Sequence, residues 1–166
     1  MKTALLVMDL QEIVVGEKPL FVFHYKKDLL DQANKLIEQA HGKTVVYIRM
    51  VMRDIFVCRI SPIRYRAQDP KAQLAKNLKI VSDHVFDKYK GDAFSNPELD
   101  KFLKKQGIEQ LEIFGVDGSG CVYHTVKGAL KHGYKVKLIT EATDSTSRRM
   151  MARKIKELEK LGATII

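Results

Sequence analysis

Residues 109–142 read EQLEIFGVDGSGCVYHTVKGALKHGYKVKLITEA, and this stretch decides the fold. Its first part, EQLEIFGV (109–116), is an apolar run of strand length. A glycine-rich turn follows. GCVYHTVKGALKHG (120–133) then has helical spacing and stops at a glycine. YKVKLITEA (134–142) is strand-like again. Strand, helix, strand without a hairpin turn predicts two parallel neighbours joined by a helical crossover.

The same alternation runs through the rest of the chain. TALLVMD (3–9), KTVVYIRM (43–50) and HVFDK (84–88) read as strands, and ATII (163–166) as a short last one. KKDLLDQANKLIEQAHG (26–42), NPELDKFLKKQG (96–107) and TSRRMMARKIKELEKLG (146–162) read as helices. Asn96 and Pro97 form a cap and first-turn pair, and glycines end the helical segments. Such a chain predicts a three-layer α/β/α, doubly wound fold with a mainly parallel sheet. The longest irregular stretch is 51–83, and loops of that length serve sites or interfaces.

The 166 residues are 45% hydrophobic, which suits one domain over 1–166. Cys58 and Cys121, the two cysteines, make no disulfide framework and fit a reducing compartment. The opening MKTALLVMDL has a short apolar run ended by Asp9 and no small-residue cleavage site, so a cytoplasmic protein is expected, without a membrane partner. The net charge of +9 invites a nucleic-acid reading. Much of the excess, however, sits in mixed-sign helical segments such as RRMMARKIKELEKLG, the pattern of a solvated face. No basic block is interleaved with aromatics, so no nucleic-acid partner is expected.

Ligands of open α/β sheets bind beyond the carboxyl ends of the strands. Asp9, Lys88 and Cys121 fall at such ends. Singly, each has an ordinary explanation as turn former, solvated lysine or core thiol. Together they make a chemical set. A helix N-terminus and an ammonium both depress a thiol's pKa. Asp9 is placed to take the thiol proton and return it to a leaving amine. Backbone N–H groups of the turn before Cys121 suit an oxyanion. His124, three residues after Cys121, competes for the role of base. His84 falls at the wrong edge, and His41 and His132 read as helix C-terminal caps.

The residues also resemble the isochorismatase-like cysteine hydrolases, which include nicotinamidases and N-carbamoylsarcosine amidases, over nearly the whole chain. LLVMDLQ (5–11) is similar to the family's opening strand with its catalytic Asp and following Gln. Residues 87–145 match its longest signature: Lys88 six before Phe94, a Gly-Val, and a Cys-Val followed by Thr and Ala at helical spacing. Lys90 is the less suited lysine. The resemblance implies a six-stranded parallel sheet, an Asp9–Lys88–Cys121 triad, a thioester intermediate and no cofactor. It also implies a cis Val116–Asp117 peptide in an oxyanion turn with Cys121, and a homo-oligomer.

Two features depart from the family pattern. RMVMRDIFVCRIS (49–61) keeps Asp54 but lacks the histidines that bind metal in nicotinamidases, so no metal is expected. Asp117 and Gly118 replace the usual small or hydroxyl residues. Gln11, Phe21, Phe23, His24 and Phe94 are the candidate pocket residues, with Tyr25 beside them. Arg53, Arg59, Arg64 and Arg66 suit a carboxylate-bearing substrate, or else a solvated or dimer-facing loop. The expectation is a metal-independent hydrolase of a small amide or related C–N bond. The alternative is a non-catalytic binding or regulatory domain on the same fold.

Overall fold

The computed structural model describes residues 1–20, 22–53 and 65–166. The elements are β1 (Thr3–Met8), α1 (Glu12–Val15), α2 (Leu29–Glu38), β2 (Thr44–Met50), β3 (Val85–Lys88), α3 (Pro97–Lys105), β4 (Gln110–Gly115), α4 (Cys121–Lys131), β5 (Lys135–Thr143), α5 (Arg148–Lys160) and β6 (Thr164–Ile165). Short 3-10 turns occupy Pro70–Ala72 and Ala93–Ser95. The expected strands and helices are all present. The four-residue α1 is an addition, too short for a helical period to show.

The six strands lie in the order β3-β2-β1-β4-β5-β6, and each pair is parallel. Both faces of the sheet are covered, so its strands are apolar on both sides. Along β1, Ala4, Leu6 and Met8 face a layer that includes Leu99 and Leu103 of α3, Val122 and Val126 of α4, and Leu158 of α5. Leu5 and Val7 face the other layer, with Leu29, Ala33 and Ile37 of α2 and with Leu78. Each fully buried leucine contributes about 1.5–3 kcal/mol by leaving water. Local signals agree with this packing. The Asn96 side chain accepts from Glu98 N–H at the start of α3, where Pro97 takes the first position. In α5 only Leu158 is buried, so its charges are a solvated face.

Strand order reverses between β1 and β4, which puts a crevice beyond their carboxyl ends. The two strands end side by side, with Met8 paired to Gly115 and Val116 N–H donating to Met8 O at 3.1 Å. Gly115 makes this approach possible. Its φ is +123°, and a Cβ there would sit 2.2 Å from Met8 O. Gly107, after α3, shares a positive φ of +68° but faces open space.

These two glycines separate backbone strain from steric clash. Gly107→Ala is expected to cost about 1–2 kcal/mol, the left-handed penalty alone. Gly115→Ala adds a backbone clash at the crevice and is expected to cost about 3 kcal/mol or more. Urea unfolding of the two variants checks the order, and equal costs would refute it.

Candidate active site

Asp9 follows β1 directly, with φ +55°. It is the only non-glycine residue among those described with a positive φ. Aspartate tolerates that region better than most residues. The turn is pinned by Asp9 N–H to Ile48 O and Gln11 N–H to Asp9 O, at 3.0 and 2.9 Å. Lys88 ends β3, and its side chain is 1% exposed. Its Nζ lies 2.8 Å from Asp9 Oδ2, 3.1 Å from Cys121 Sγ and 3.5 Å from Met50 Sδ. Thus one buried ammonium joins a carboxylate and a thiol that are 112 residues apart in the chain. Lys90 is exposed and takes no part. Asp9 Oδ1 is buried with no hydrogen-bond partner among the described residues.

Burial sets the proton affinities here. It raises the Asp9 carboxyl above its ordinary value, against the opposing charge of Lys88. Burial works to lower Lys88, but the Asp9 charge prevails and holds it protonated. The Cys121 thiol is pushed up to about 12, by burial first and then by the Asp9 charge, with Lys88 opposing. The depressed thiol expected from the sequence is therefore corrected. Position at a helix start and beside an ammonium does not outweigh a buried site with a carboxylate in it.

Cys121 opens α4. The cap residue, Gly120, offers no side chain, and Cys121 N–H has no acceptor among the described residues. The same holds for Asp117 N–H, beside the cis Val116–Asp117 peptide. The Asp117 side chain accounts for the unusual GVDGSG turn. Its Oδ1 accepts from Ser119 N–H, Ser119 Oγ and Ser145 Oγ at 2.8, 2.7 and 2.6 Å. Its Oδ2 accepts from Thr146 N–H and Oγ1 at 2.8 and 3.0 Å, and from Tyr25 at 3.5 Å. Burial opposes ionisation, but these hydrogen bonds, led by Ser145, hold the carboxyl below its ordinary value. Asp117 thus clamps the turn before Cys121 to the turn after β5.

Asp9, Cys121 and Asp117 border a pocket of about 290 Å³. Its walls are mostly apolar and include Ile13, Leu20, Val22, Phe23, Met50 and Val116. Gln11, Tyr25 and Tyr65 complete the described lining. Of the residues expected to line it, Phe23 and Gln11 do. The Gln11 amide is already committed, however. Its Nε2 donates to Met50 O and Ala72 O, and its Oε1 accepts from Met50 N–H.

Two pocket expectations are corrected. Phe94 is buried in the helix-covered core, stacked on His132 at 4.8 Å and near Tyr134 at 5.7 Å. Its apolar ring follows the α3–α4 packing rather than the pocket. His24 is exposed in a neighbouring cleft with Lys26 and Lys27. Phe21 lies outside the described residues, as do Asp54, Cys58, Arg59 and Arg64. His124 is exposed and lies against the Tyr123 ring, its centroid 5.1 Å away.

The sequence reading missed Ile13, Val14, Leu20, Val22, Met50 and Tyr65 as wall residues. Met50 had a signal, since it ends β2 at the ligand-binding edge. Among the described residues no cluster of three or more His, Cys, Asp or Glu is placed to hold a metal. Two arginines near this edge, Arg49 and Arg53, are otherwise engaged. Arg49 forms a fork to Asp87 at 2.7 and 2.9 Å, and Arg53 lies over the Tyr89 ring. No helix among the described residues is long and apolar enough to cross a membrane.

Comparison with known proteins agrees with this architecture. A plant protein from Arabidopsis thaliana, named as a probable inactive nicotinamidase, is 26% identical over 96% of this chain and 89% of its own. The N-carbamoylsarcosine amidase of Thermoplasma acidophilum superposes with a TM-score of 0.81 at 25% identity, covering 99% of this chain and 95% of that one. The pyrazinamidase of Pyrococcus horikoshii, solved in complex with zinc, gives 0.86 at 22% identity over 100% and 99% of the two chains. The described residues here present no ligand cluster for such a metal. The isochorismatase domain model matches residues 3–166, so the chain belongs to the isochorismatase family of hydrolases.

Proposed function

We propose that the protein is a cysteine hydrolase of small amides or related C–N bonds, working without a metal. The supporting observation is the contact of one buried Lys88 ammonium with both Asp9 and Cys121 at the border of an apolar pocket. A charge pair taken out of water is a costly way to build a core. It is understandable as a device for moving a proton.

In this reading Cys121 is the nucleophile. Its Sγ bonds to the amide carbon as its proton passes to Asp9, whose Oδ1 has no other partner. The carbonyl π electrons move to oxygen, and the free N–H groups of Asp117 and Cys121 are the donors available to that oxyanion. Collapse breaks the C–N bond, and the leaving amine takes the proton from Asp9. A thioester on Cys121 remains. Water then attacks it, giving its proton to Asp9, and the thiol is restored from the same carboxyl. Lys88 holds its charge throughout. The raised Asp9 carboxyl is a better acceptor for the thiol proton than an ordinary carboxylate is.

The relative named as inactive makes turnover the decisive measurement. Ammonia release from a panel of small amides is expected for the native protein, with a mass adduct on Cys121 after acid quench. Cys121→Ala is expected to lose about 10³-fold or more in activity and the whole adduct. A folded protein that gives neither ammonia nor adduct with any amide would favour the binding-domain alternative.

Stability should move against activity at the charge pair. Lys88→Ala leaves Asp9 buried without its cation and is expected to cost about 3–5 kcal/mol. The double variant Asp9→Asn/Lys88→Met removes both charges and is expected to be neutral or more stable by about 1–4 kcal/mol, yet inactive. Urea unfolding beside the ammonia assay checks this. A double variant as unstable as Lys88→Ala would show that the pair serves the fold.

A further inference from the structure

The geometry points to Asp117 as the residue that selects the substrate's charge, admitting neutral or cationic amides and rejecting anionic ones. This deepens the hydrolase reading and rests on it for the amide bond alone. The chain carries a net +9, yet its pocket is bordered by two carboxylates and, among the described lining residues, no cation. The two carboxylates differ. Asp9 is neutralised by Lys88 at 2.8 Å. Asp117 has only neutral donors: two serines, a threonine, two backbone N–H groups and the Tyr25 hydroxyl.

Those donors fix the carboxylate and keep it ionised below the ordinary carboxyl range, but they supply no compensating charge. Asp117 therefore stands as a fixed negative charge, four residues before the nucleophile and in the same pocket wall. A substrate carboxylate entering this apolar space meets the Asp117 charge with no cation among the described lining residues to offset it. An ammonium or a neutral N–H meets an acceptor instead. The Tyr25 contact, at 3.5 Å, is the longest of the six and the easiest for a substrate donor to replace. The carboxylate-bearing substrate suggested by the arginines of 53–66 is thus disfavoured by the side chain that sits beside Cys121.

Cys121 itself reports the pocket charge. Native protein would be alkylated in parallel with iodoacetamide, which is neutral, and iodoacetate, which is anionic. Rates at Cys121 are read by mass spectrometry and normalised to 2-mercaptoethanol. The expected result is a preference for iodoacetamide of about tenfold or more. Asp117→Asn should remove most of it, while Tyr25→Phe, which keeps the charge, should retain it. Should Asp117→Asn fail to fold, the native protein still decides through ammonia release from butyramide, 4-aminobutanamide and succinamic acid, which share a four-carbon frame. Succinamic acid should lag the other two by about tenfold or more in kcat/KM.

Equal or faster alkylation by iodoacetate would overturn the inference, as would failure of both reagents to reach Cys121. If the alkylation preference holds and no amide is turned over, the hydrolase reading fails and the charge selection stands. If succinamic acid is cleaved as well as butyramide, the selection fails and the hydrolase reading stands.

Discussion

One buried ammonium organises this molecule. Lys88 is 1% exposed and lies within 3.1 Å of both Asp9 and Cys121. An unpaired lysine there would be strongly unfavourable, so Lys88 is accommodated only where Asp9 meets it. The sheet order makes that meeting possible. β3 and β4 flank the β2–β1 pair, so Lys88, Asp9 and Cys121 arrive at one edge from separate strands. Gly115, where a Cβ would strike Met8 O, lets the β1 and β4 ends approach. Gln11, bonded to both Met50 and Ala72, holds the β2 end in place.

The same burial sets the chemistry. It raises the thiol and the carboxyl together, so neither group is poised as an isolated site would be. A thiol held neutral at rest avoids a second negative charge beside Asp9. In the proposed mechanism charge moves only when a carbonyl is present to receive it, which is the condition for stabilising a transition state rather than a resting state. Asp117 completes the electrostatics from the other side of Cys121, fixed by Ser119, Ser145 and Thr146.

Much of the architecture was legible in the sequence because apolar runs buried on two faces and amphipathic helices leave distinct periods. The ends of those runs also placed Asp9, Lys88 and Cys121 on one edge. Side-chain contacts were less legible. Phe94 and His24 look like pocket residues by spacing, but the first follows the His132–Tyr134 packing and the second turns to solvent. The Asp117 clamp joins residues up to 92 apart through a turn whose sequence only looked irregular. The thiol's proton affinity was misjudged for the same reason: it depends on burial and on Asp9, neither of which a helix-start position reveals.

The most direct measurement is the rate of Cys121 alkylation by iodoacetamide as a function of pH, in native protein and in Asp9→Asn. Proton transfer to Asp9 on attack predicts a rate that rises as Asp9 deprotonates, at a pH above the ordinary carboxyl value of 3.8, and then stays level through neutrality. Asp9→Asn should lose that plateau and react only in strong alkali, as the buried thiol ionises. A native rate that simply tracks thiol ionisation, unchanged by Asp9→Asn, would contradict the proposed role of the Asp9–Lys88 pair.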